Sequence, residues 1–308
     1  MPTPGSGFDD AHGVLHPGEH ARLATLDRRA PGAAVAPFVE RYWHVRWRLP
    51  GADTYDTKVL THPALHLVFE EPEPLVYGVQ RDLFVRRLAG AGQVLGVRFR
   101  PGGFRALAPG PVAELADRRV PAAELFGPRV AEVSRAVLAA GDPPEMCARA
   151  EDFLRPLLPA APDPAAEEAA AAVARIAAEP GLLRVDEVAL GAGMSVRRLQ
   201  RLFAEYVGAS PKWVLRRARL QEAAARADAG AALDLAALAA DLGYADQAHL
   251  TRDFTATVGA PPSRYAGGTA GCARGAGRRG ARPARGSPAR DEPGTGRARH
   301  GTWLARHM

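Results

Sequence analysis

One arrangement occurs twice between residues 182 and 264, and it constrains the fold more than any other feature of the chain. The first copy comprises Val188, Ala189, Gly193, Ser195, Leu199, Phe203, Gly208 and Pro211, and the second comprises Leu238, Ala239, Gly243, Asp246, Leu250, Phe254, Gly259 and Pro262. The spacings from leucine to phenylalanine, glycine and proline are the same in both copies. Two copies of roughly 50 residues are too few to bury the continuous core of a solenoid, so each copy is expected to form a compact helical unit.

The pattern predicts a helix-turn-helix in each copy. In the first copy, Gly193 can end one helix in the left-handed conformation and Ser195 can cap the next helix. That helix has apolar positions at three- and four-residue intervals, which form its buried side: Val196, Leu199, Leu202, Phe203 and Tyr206. Its open side, suited to enter a DNA major groove, carries Arg197, Arg198, Gln200 and Arg201. The alternative is a plain helical hairpin with solvated arginines, which the duplicated spacing disfavours.

The motifs of the second copy resemble the AraC/XylS family of transcriptional activators. They are the segments 239–244, 249–254 and 259–265, with the sequences AADLGY, HLTRDF and GAPPSRY. The resemblance implies two helix-turn-helix units joined by a long helix, here residue 211 to about residue 229. It implies DNA-binding positions in both units, which are Arg197, Arg198, Gln200, Arg201 and Lys212 in the first and Ala248, His249 and Arg252 in the second.

Charge is distributed unevenly along the chain, whose net charge is +6. Nine arginines after residue 265 against two carboxylates give this tail +7, so the preceding residues sum to −1. Among those, residues 195–219 carry +6 and residues 220–265 carry −3. Because phosphate contacts dominate DNA affinity, we expect the first unit to supply most of the binding free energy. The tail either adds sequence-independent affinity or is a biased extension without a role.

The N-terminal half has the pattern of short strands. Large apolar residues alternate with polar ones over residues 42–49, the period of a half-buried strand. Further strand-like runs are separated by proline and glycine, at 57–61, 64–70, 75–80, 83–89 and 93–100. Successive strands without intervening helices indicate a curled or barrel-like antiparallel sheet. Helical patterns follow at 103–108, 122–126, 128–140 and 143–157, and a helix capped near Asp163 is expected to run to about residue 178.

The segments 96–103, 115–121 and 125–127 resemble a family of N-terminal sensor-like domains that precede AraC modules, with a departure at 61–64, where that family usually has a Pro-Asp-Gly turn. The chain is therefore predicted to be α+β: an N-terminal, mostly antiparallel β domain with accessory helices, then a C-terminal all-α domain of two helix-turn-helix units joined by a long helix. The predicted divisions are a disordered leader at 1–17, a sensor or dimerisation domain at 18–160, a DNA-binding domain at 161–266 and a disordered arginine-rich tail at 267–308.

Five aromatic residues of the sheet region are candidates for the lining of an apolar effector pocket: Trp43, Trp47, Phe69, Tyr77 and Phe99. For any single one of them, a place in the core is the commoner outcome. Arg98 and Arg100 are placed either to bind an anionic effector or to face water. Core or edge positions are favoured over a metal site for His44, His62 and His66. No metal, cofactor or catalytic residue is predicted.

These patterns predict a sequence-specific, effector-responsive transcriptional regulator and not an enzyme. The expected partners are double-stranded promoter DNA, a small-molecule effector, RNA polymerase and a second copy of the chain in a homodimer, with no membrane; the expected location is the bacterial cytoplasm. Two alternatives stay open for the N-terminal domain: a repair-type enzyme or a purely dimerising domain. The enzyme alternative needs a nucleophilic cysteine in a metal-like cluster, and Cys147 has no nearby histidine or cysteine in the sequence.

Overall fold

The computed structural model describes residues 13–179, 181–229 and 234–271, with the backbone alone for residues 267–271. The chain has the predicted α+β fold, in which an antiparallel sheet domain precedes a helical region. Of the predicted leader and tail, residues 1–12 and 272–308 lie outside the described residues.

Eight strands lie in the described N-terminal part: β1 (Ala24–Arg29), β2 (Val39–Arg48), β3 (Thr54–Val59), β4 (His66–Phe69), β5 (Leu75–Tyr77), β6 (Phe84–Ala89), β7 (Ala91–Phe99) and β8 (Arg119–Pro121). Six of them form one antiparallel sheet in the order β1-β2-β7-β4-β5-β8, and β3 pairs with β6 in a separate two-stranded sheet. Each strand-like run predicted from the sequence contains a strand. The patterns missed β1 and β8, because these strands lack apolar alternation and depend on pairing with β2 and β5.

The described helices are α1 (Pro17–Leu23), α2 (Ala122–Phe126), α3 (Arg129–Leu138), α4 (Pro143–Leu154), α5 (Pro164–Ala178), α6 (Val185–Gly191), α7 (Val196–Tyr206), α8 (Pro211–Asp228), α9 (Leu235–Asp241), α10 (Gln247–Val258) and α11 (Pro262–Gly271). Short 3-10 turns cover Arg105–Leu107, Val112–Leu115 and Arg155–Leu157. Within the described residues, no helix is both long enough and apolar enough to cross a membrane.

Polar caps and glycines set the helix boundaries of the C-terminal region. Asp163 accepts a bond from the Ala165 amide at 2.9 Å and Ser195 accepts one from the Arg198 amide at 3.2 Å, so α5 and α7 begin where the sequence predicts. Gly193 and Gly243 follow α6 and α9 with φ of 63° and 66°, the left-handed conformation in which a helix ends.

The segment 13–15 is ordered, although the sequence placed it in the leader. The Leu15 amide donates to the Lys58 carbonyl at 2.9 Å, and the Leu60 amide donates to the Gly13 carbonyl at 2.7 Å, so the segment runs beside the end of β3. Leu15 is buried with Leu60 in the cluster that holds the second helix-turn-helix unit. Burial of this leucine explains why residues 13–15 pack against the domain, where composition predicts a disordered leader.

The two faces of the six-stranded sheet have different partners. Helices α3 and α4 cover one face, where Leu67, Phe69, Leu95 and Phe99 belong to the main core. Residues of the other face, such as Val68 and Val94, pack with Phe84 of β6. Since neighbouring residues of a strand point to opposite faces, the register decides which side chains meet the core and which meet the space under β3 and β6.

Candidate DNA interface and effector cavity

The first helix-turn-helix consists of α6 and α7. Leu199, Leu202 and Phe203 on α7 are buried in the main core. The opposite side of α7 is exposed and carries the predicted DNA-binding residues Arg197, Arg198, Gln200 and Arg201. This helix therefore has the buried back and polar front of a recognition helix.

The arginines of α7 differ in their partners. Arg198 lies 2.8 Å from Glu168 of α5, measured from Nη2 to Oε2. Both side chains are about half exposed, so this ion pair is weak and a DNA phosphate can replace the carboxylate. Arg197 and Arg201 are exposed and have no ion pair within the described residues.

Helices α9 and α10 form the second unit. Its buried positions on α10 are Leu250, Phe254 and Val258, and its exposed positions include the predicted Ala248, His249 and Arg252. Asp246 accepts a bond from the His249 amide at 2.6 Å. This carboxylate caps α10, where a negative charge is stabilised by the helix dipole.

Asp253 on α10 is bound within the protein. Arg216 of α8 donates from Nε to Asp253 Oδ1 at 2.6 Å, and the Tyr244 hydroxyl donates to Asp253 Oδ2 at 2.9 Å. Arg216 also donates to the Thr257 hydroxyl at 3.2 Å. These bonds hold α10 against the long helix. The Arg216 guanidinium also neutralises one of the carboxylates that contribute to the net charge of −3 over residues 220–265.

Two further arginines of α8 are also used inside the protein. Arg217 is 2% exposed and donates from Nη2 to the Arg81 carbonyl at 2.5 Å. Burial, with a contribution from Arg216, lowers the pKa of this guanidinium to about 10. Arg219 lies over the Tyr244 ring, 4.9 Å from its centroid. The balance of +6 counted for the first unit therefore overstates the charge that faces DNA, although Lys212 remains exposed.

The long helix α8 is bound directly to the sheet domain. Gln221 donates from Nε2 to the Leu60 carbonyl at 2.8 Å, and Trp213 donates from Nε1 to the Arg81 carbonyl at 3.3 Å. The main core is continuous across this boundary, since it contains residues of both β7 and α7. The C-terminal helices and the sheet domain are therefore held together by these hydrogen bonds and by one continuous core.

A cavity of about 200 Å³ lies between the six-stranded sheet and the β3–β6 pair. Its apolar walls include Leu26, Trp43, Val45, Val68, Phe84 and Val94. The register pairs Trp43 with Gly96 and Trp47 with Gly92. A Cβ atom on either glycine would overlap the indole, so both tryptophans lie directly over the backbone of β7 and form one wall.

Three of the five predicted pocket residues line this cavity: Trp43, Trp47 and Tyr77. Phe69 and Phe99 do not, because they are fully buried in the main core on the opposite face of the sheet. The structure corrects the prediction for these two residues, and the reason is strand alternation. Their neighbours Val68 and Arg98 hold the cavity positions instead. Arg100 does not line the cavity and lies 3.5 Å from Glu167.

Two arginines and a histidine form a polar end of the cavity. Arg41 and Arg98 share one carboxylate, Glu40, at 3.1 Å each. Trp43 donates from Nε1 to His66 Nδ1 at 3.0 Å, so the neutral imidazole carries its proton on Nε2. Burial lowers the pKa of His66 to about 3, with further lowering by Arg98 and Arg41.

The lining also contains polar groups that the sequence does not predict. Arg86 pairs with the buried Glu70, which also accepts a bond from the Tyr77 hydroxyl at 2.6 Å. His20 and Thr57 contribute buried polar atoms without a hydrogen-bond partner within the described residues. Alternation along β2 and β6 could have predicted Arg41 and Arg86 as lining residues. Each lies two positions from an aromatic lining residue, Trp43 or Phe84, and so points to the same face of its strand. Nothing in the sequence signals His20, because α1 has no apolar period.

Comparisons with known proteins give two family matches. Residues 188–267 match a family described as "Helix-turn-helix domain", and residues 27–121 match one described as "Domain of unknown function (DUF6597)". No curated protein matches the chain.

Among solved structures, the chain is similar to ToxT from Vibrio cholerae. The apo K231A form of strain SCE256 has 10% identity and a TM-score of 0.38, with 77% of this chain and 98% of that chain covered. ToxT from strain O395 has 9% identity and a TM-score of 0.36, with 80% and 98% covered. An unsaturated fatty acid bound form of ToxT has 11% identity and a TM-score of 0.30, with 79% and 94% covered.

Two helix-turn-helix units joined by one long helix define a helix-turn-helix DNA-binding protein. The match over residues 188–267, together with the motifs of the second unit, makes this module AraC-type. The chain thus carries an AraC-type helix-turn-helix module towards its C-terminus, preceded by a domain of unknown function.

Proposed function

We propose that this regulator binds promoter DNA sequence-specifically through both helix-turn-helix units and responds to a small molecule bound in the sheet-domain cavity. The observation that carries the proposal is the pair of equivalent helices α7 and α10. Each has a buried back and an exposed row of side chains able to contact DNA. In this proposal the eight DNA-binding positions assigned from the sequence keep their roles, and the effector residues are Trp43, Trp47 and Tyr77.

The length of α8 suits binding to successive major grooves. Its 18 residues span about 27 Å at 1.5 Å per residue. One turn of DNA separates successive major grooves by roughly 34 Å. A linker of this length, with a recognition helix at each side, favours contact with two adjacent grooves on one face of the DNA.

Two segments of the sheet domain connect the cavity lining to the long helix, and this connection supports an effector response. Thr61 and Gln80 line the cavity, and the Thr61 hydroxyl donates to the Gln80 carbonyl at 2.7 Å. The residue before Thr61 is Leu60, whose carbonyl accepts the Gln221 bond from α8. The residue after Gln80 is Arg81, whose carbonyl accepts the bonds from Trp213 and Arg217. A ligand that moves either segment therefore changes the support of α8.

The proposal includes a homodimer and a contact with RNA polymerase, both of which the AraC resemblance implies. A repair-type enzyme gains no support from Cys147. Its thiol is buried in α4, and burial raises its pKa to about 11, the opposite of an activated nucleophile. Cys272 lies outside the described residues.

Genome-wide mapping of DNA occupancy, followed by footprinting on the enriched sites, tests the proposal. We expect a shared sequence with two protected elements about one helical turn apart. The variant Arg197→Ala with Arg252→Ala should lose enrichment while its unfolding midpoint stays within the error of the unmodified protein, since both residues are exposed. Occupancy without a shared sequence, or footprints with a single element, would contradict the proposal.

A further inference from the structure

We propose that Val196, the first residue of the recognition helix α7, reads DNA sequence through an apolar contact with the methyl group of a thymine in the major groove. This inference rests on the proposed function, because it adds a base-reading residue to the first helix-turn-helix unit. Val196 is not among the eight DNA-binding positions assigned from the sequence.

Val196 lies outside the core, although the sequence pattern places it on the buried side of α7. Its side chain is 37% exposed and is not one of the apolar residues that pack against the main core, whereas Leu199 and Phe203 are fully buried there. The helix begins at Val196, directly after its cap Ser195, so this valine precedes the first residue of α7 that reaches the core. The prediction of burial is therefore wrong for this residue, and its side chain is accessible to a partner.

Val196 shares the exposed face of α7 with the predicted base-reading residues. With 3.6 residues per turn, Val196 and Gln200 lie about 40° apart around the helix axis and about 6 Å apart along it. Arg197 and Arg201 form the neighbouring row of the same face, and all four side chains are exposed. Since successive bases are about 3.4 Å apart along the DNA axis, a helix that presents this face to the major groove brings Val196 to within about two base pairs of the base that Gln200 contacts.

An exposed valine is unusual on this face. Five large apolar side chains are exposed within the described residues: Val85, Leu157, Leu183, Leu190 and Val196. Of these described side chains, only Val196 lies on a recognition helix, where its neighbours Arg197 and Gln200 are polar. Valine is also a poor residue for an exposed helical position, because its branched Cβ restricts the side chain largely to one rotamer. Helix stability and solvation therefore do not explain a valine here, whereas contact with an apolar group of the DNA does.

Thymine is the base that an apolar side chain recognises in the major groove. It alone presents a methyl group there, beside a single acceptor oxygen. The edges of guanine, adenine and cytosine present polar groups, which a valine would remove from water without offering a hydrogen bond. Contact between the valine methyl groups and the thymine methyl group removes apolar surface from water on both partners. Because Gln200 suits adenine, the expected signature is a thymine within about two base pairs of an adenine.

Deoxyuridine substitution in a selected DNA site tests the contact. Selection with the full chain from a random duplex library supplies the site, and deoxyuridine then replaces each of its thymines in turn. This replacement keeps the base pairing and removes only the methyl group. We expect one substitution to raise the Kd of the unmodified protein roughly threefold to fivefold, the effect of one methyl group returned to water. A selected site with no thymine within about two base pairs of an adenine overturns the inference.

Val196→Ala measures the coupling between the side chain and the methyl group. On the thymine duplex this variant should bind roughly threefold to fivefold more weakly than the unmodified protein, and it should bind the thymine and deoxyuridine duplexes equally. Its unfolding midpoint should not change, since the side chain is exposed. Leu190→Ala is the matched control: Leu190 is 82% exposed but lies on α6, so this variant should keep the full effect of deoxyuridine.

The outcomes separate this contact from the proposed function. A selected site at which Val196→Ala and the unmodified protein lose the same affinity with deoxyuridine at every thymine overturns the thymine contact alone. Selection that enriches no sequence contradicts the proposed function and the thymine contact together, because the protein then makes no sequence-specific contact in the major groove.

Discussion

Arg216 on the long helix donates from Nε to Asp253 Oδ1 at 2.6 Å, and this bond joins the second recognition helix to the helix that links the two units. The Asp253 side chain is 15% exposed, and the Tyr244 hydroxyl occupies its second oxygen. The contact fixes the orientation of α10 relative to α8. Since α8 is bound to the sheet domain, the geometry of the second unit depends on contacts that lie well away from its DNA-facing side.

Asp253→Asn should therefore destabilise the protein and weaken binding to a full DNA site. We expect a loss of about 1.5–3 kcal/mol in the free energy of unfolding, because a charge-assisted bond is lost from a mostly buried group. Urea denaturation measures this loss. Asp241→Asn is the control: its pair with Arg226 is exposed, so a loss of about 0–1 kcal/mol is expected. Equal losses in the two variants would show that Asp253 is no more important than a surface pair.

The first unit should still dominate the salt dependence of DNA binding, despite the arginines used inside the protein. It exposes Arg197, Arg198, Arg201 and Lys212, whereas the second unit exposes Arg252 and Arg264. Each phosphate neutralised contributes roughly 0.9 to the log–log salt slope. Removing Arg197 and Arg198 together should cost more affinity and more slope than removing Arg252 and Arg264 together. If the second pair costs as much or more, the second unit is the anchor.

Arg217→Met tests whether a buried arginine of α8 contributes to the salt dependence of DNA binding. Arg217 is 2% exposed and bonded to the Arg81 carbonyl, so it cannot reach a phosphate without leaving the interface. We expect the salt slope of DNA binding to stay unchanged in this variant, measured by fluorescence anisotropy over a range of salt concentrations. A slope lower by roughly 0.9 would place Arg217 at the DNA backbone instead.

Arg201→Ala should relax sequence preference at one base pair. Arginine at an exposed position of a recognition helix can bind guanine through two hydrogen bonds, which are worth about 1–3 kcal/mol of discrimination. Selection of binding sites from a random library should show one position losing its preference while the others keep theirs. An unchanged preference would remove Arg201 from the base-reading residues.

Much of the helical region could be predicted from the sequence because its signals are local. Gly193, Ser195 and Asp163 act on neighbouring amides, and the duplicated spacing identifies both units. The use of Arg216 and Arg217 could not be predicted, since their partners are 37 and 136 residues away in the chain. A charge count treats such arginines as free, although folding assigns them to carboxylates and carbonyls.

The lining of the cavity could be predicted only in part from the sequence. The sequence indicates an aromatic-rich sheet, and Trp43, Trp47 and Tyr77 do line the space. Residue type alone predicts that Phe69 and Phe99 line the same pocket, because it takes no account of which face of the strand each residue occupies. That face depends on register, and a shift of one residue exchanges the two faces. The register of β4 and β7 follows from pairing between distant strands, which the pattern of a single strand does not reveal.

Protonation of His66 should make the protein sensitive to acid. Its pKa in the folded protein is lowered from 6.5 to about 3, first by burial and then by Arg98 and Arg41. Between these two values the unfolded chain binds a proton that the folded chain does not bind. Stability from this group is therefore complete above the unfolded pKa and falls as the pH drops, by about 1.4 kcal/mol per pH unit in the middle of that window.

His66→Gln removes this proton uptake and should flatten the decline in stability. Urea denaturation from pH 6.5 down to about pH 5 stays above the range in which carboxylates with ordinary pKa values titrate. Burial also lowers the pKa values of His20 and His44, so a residual slope of the same sign should persist in the variant. Trp43→Phe is the control, because it removes the bond to Nδ1 but keeps the imidazole beside both arginines. A slope that is the same in His66→Gln as in the unmodified protein would show that His66 takes up its proton equally in the folded and unfolded states.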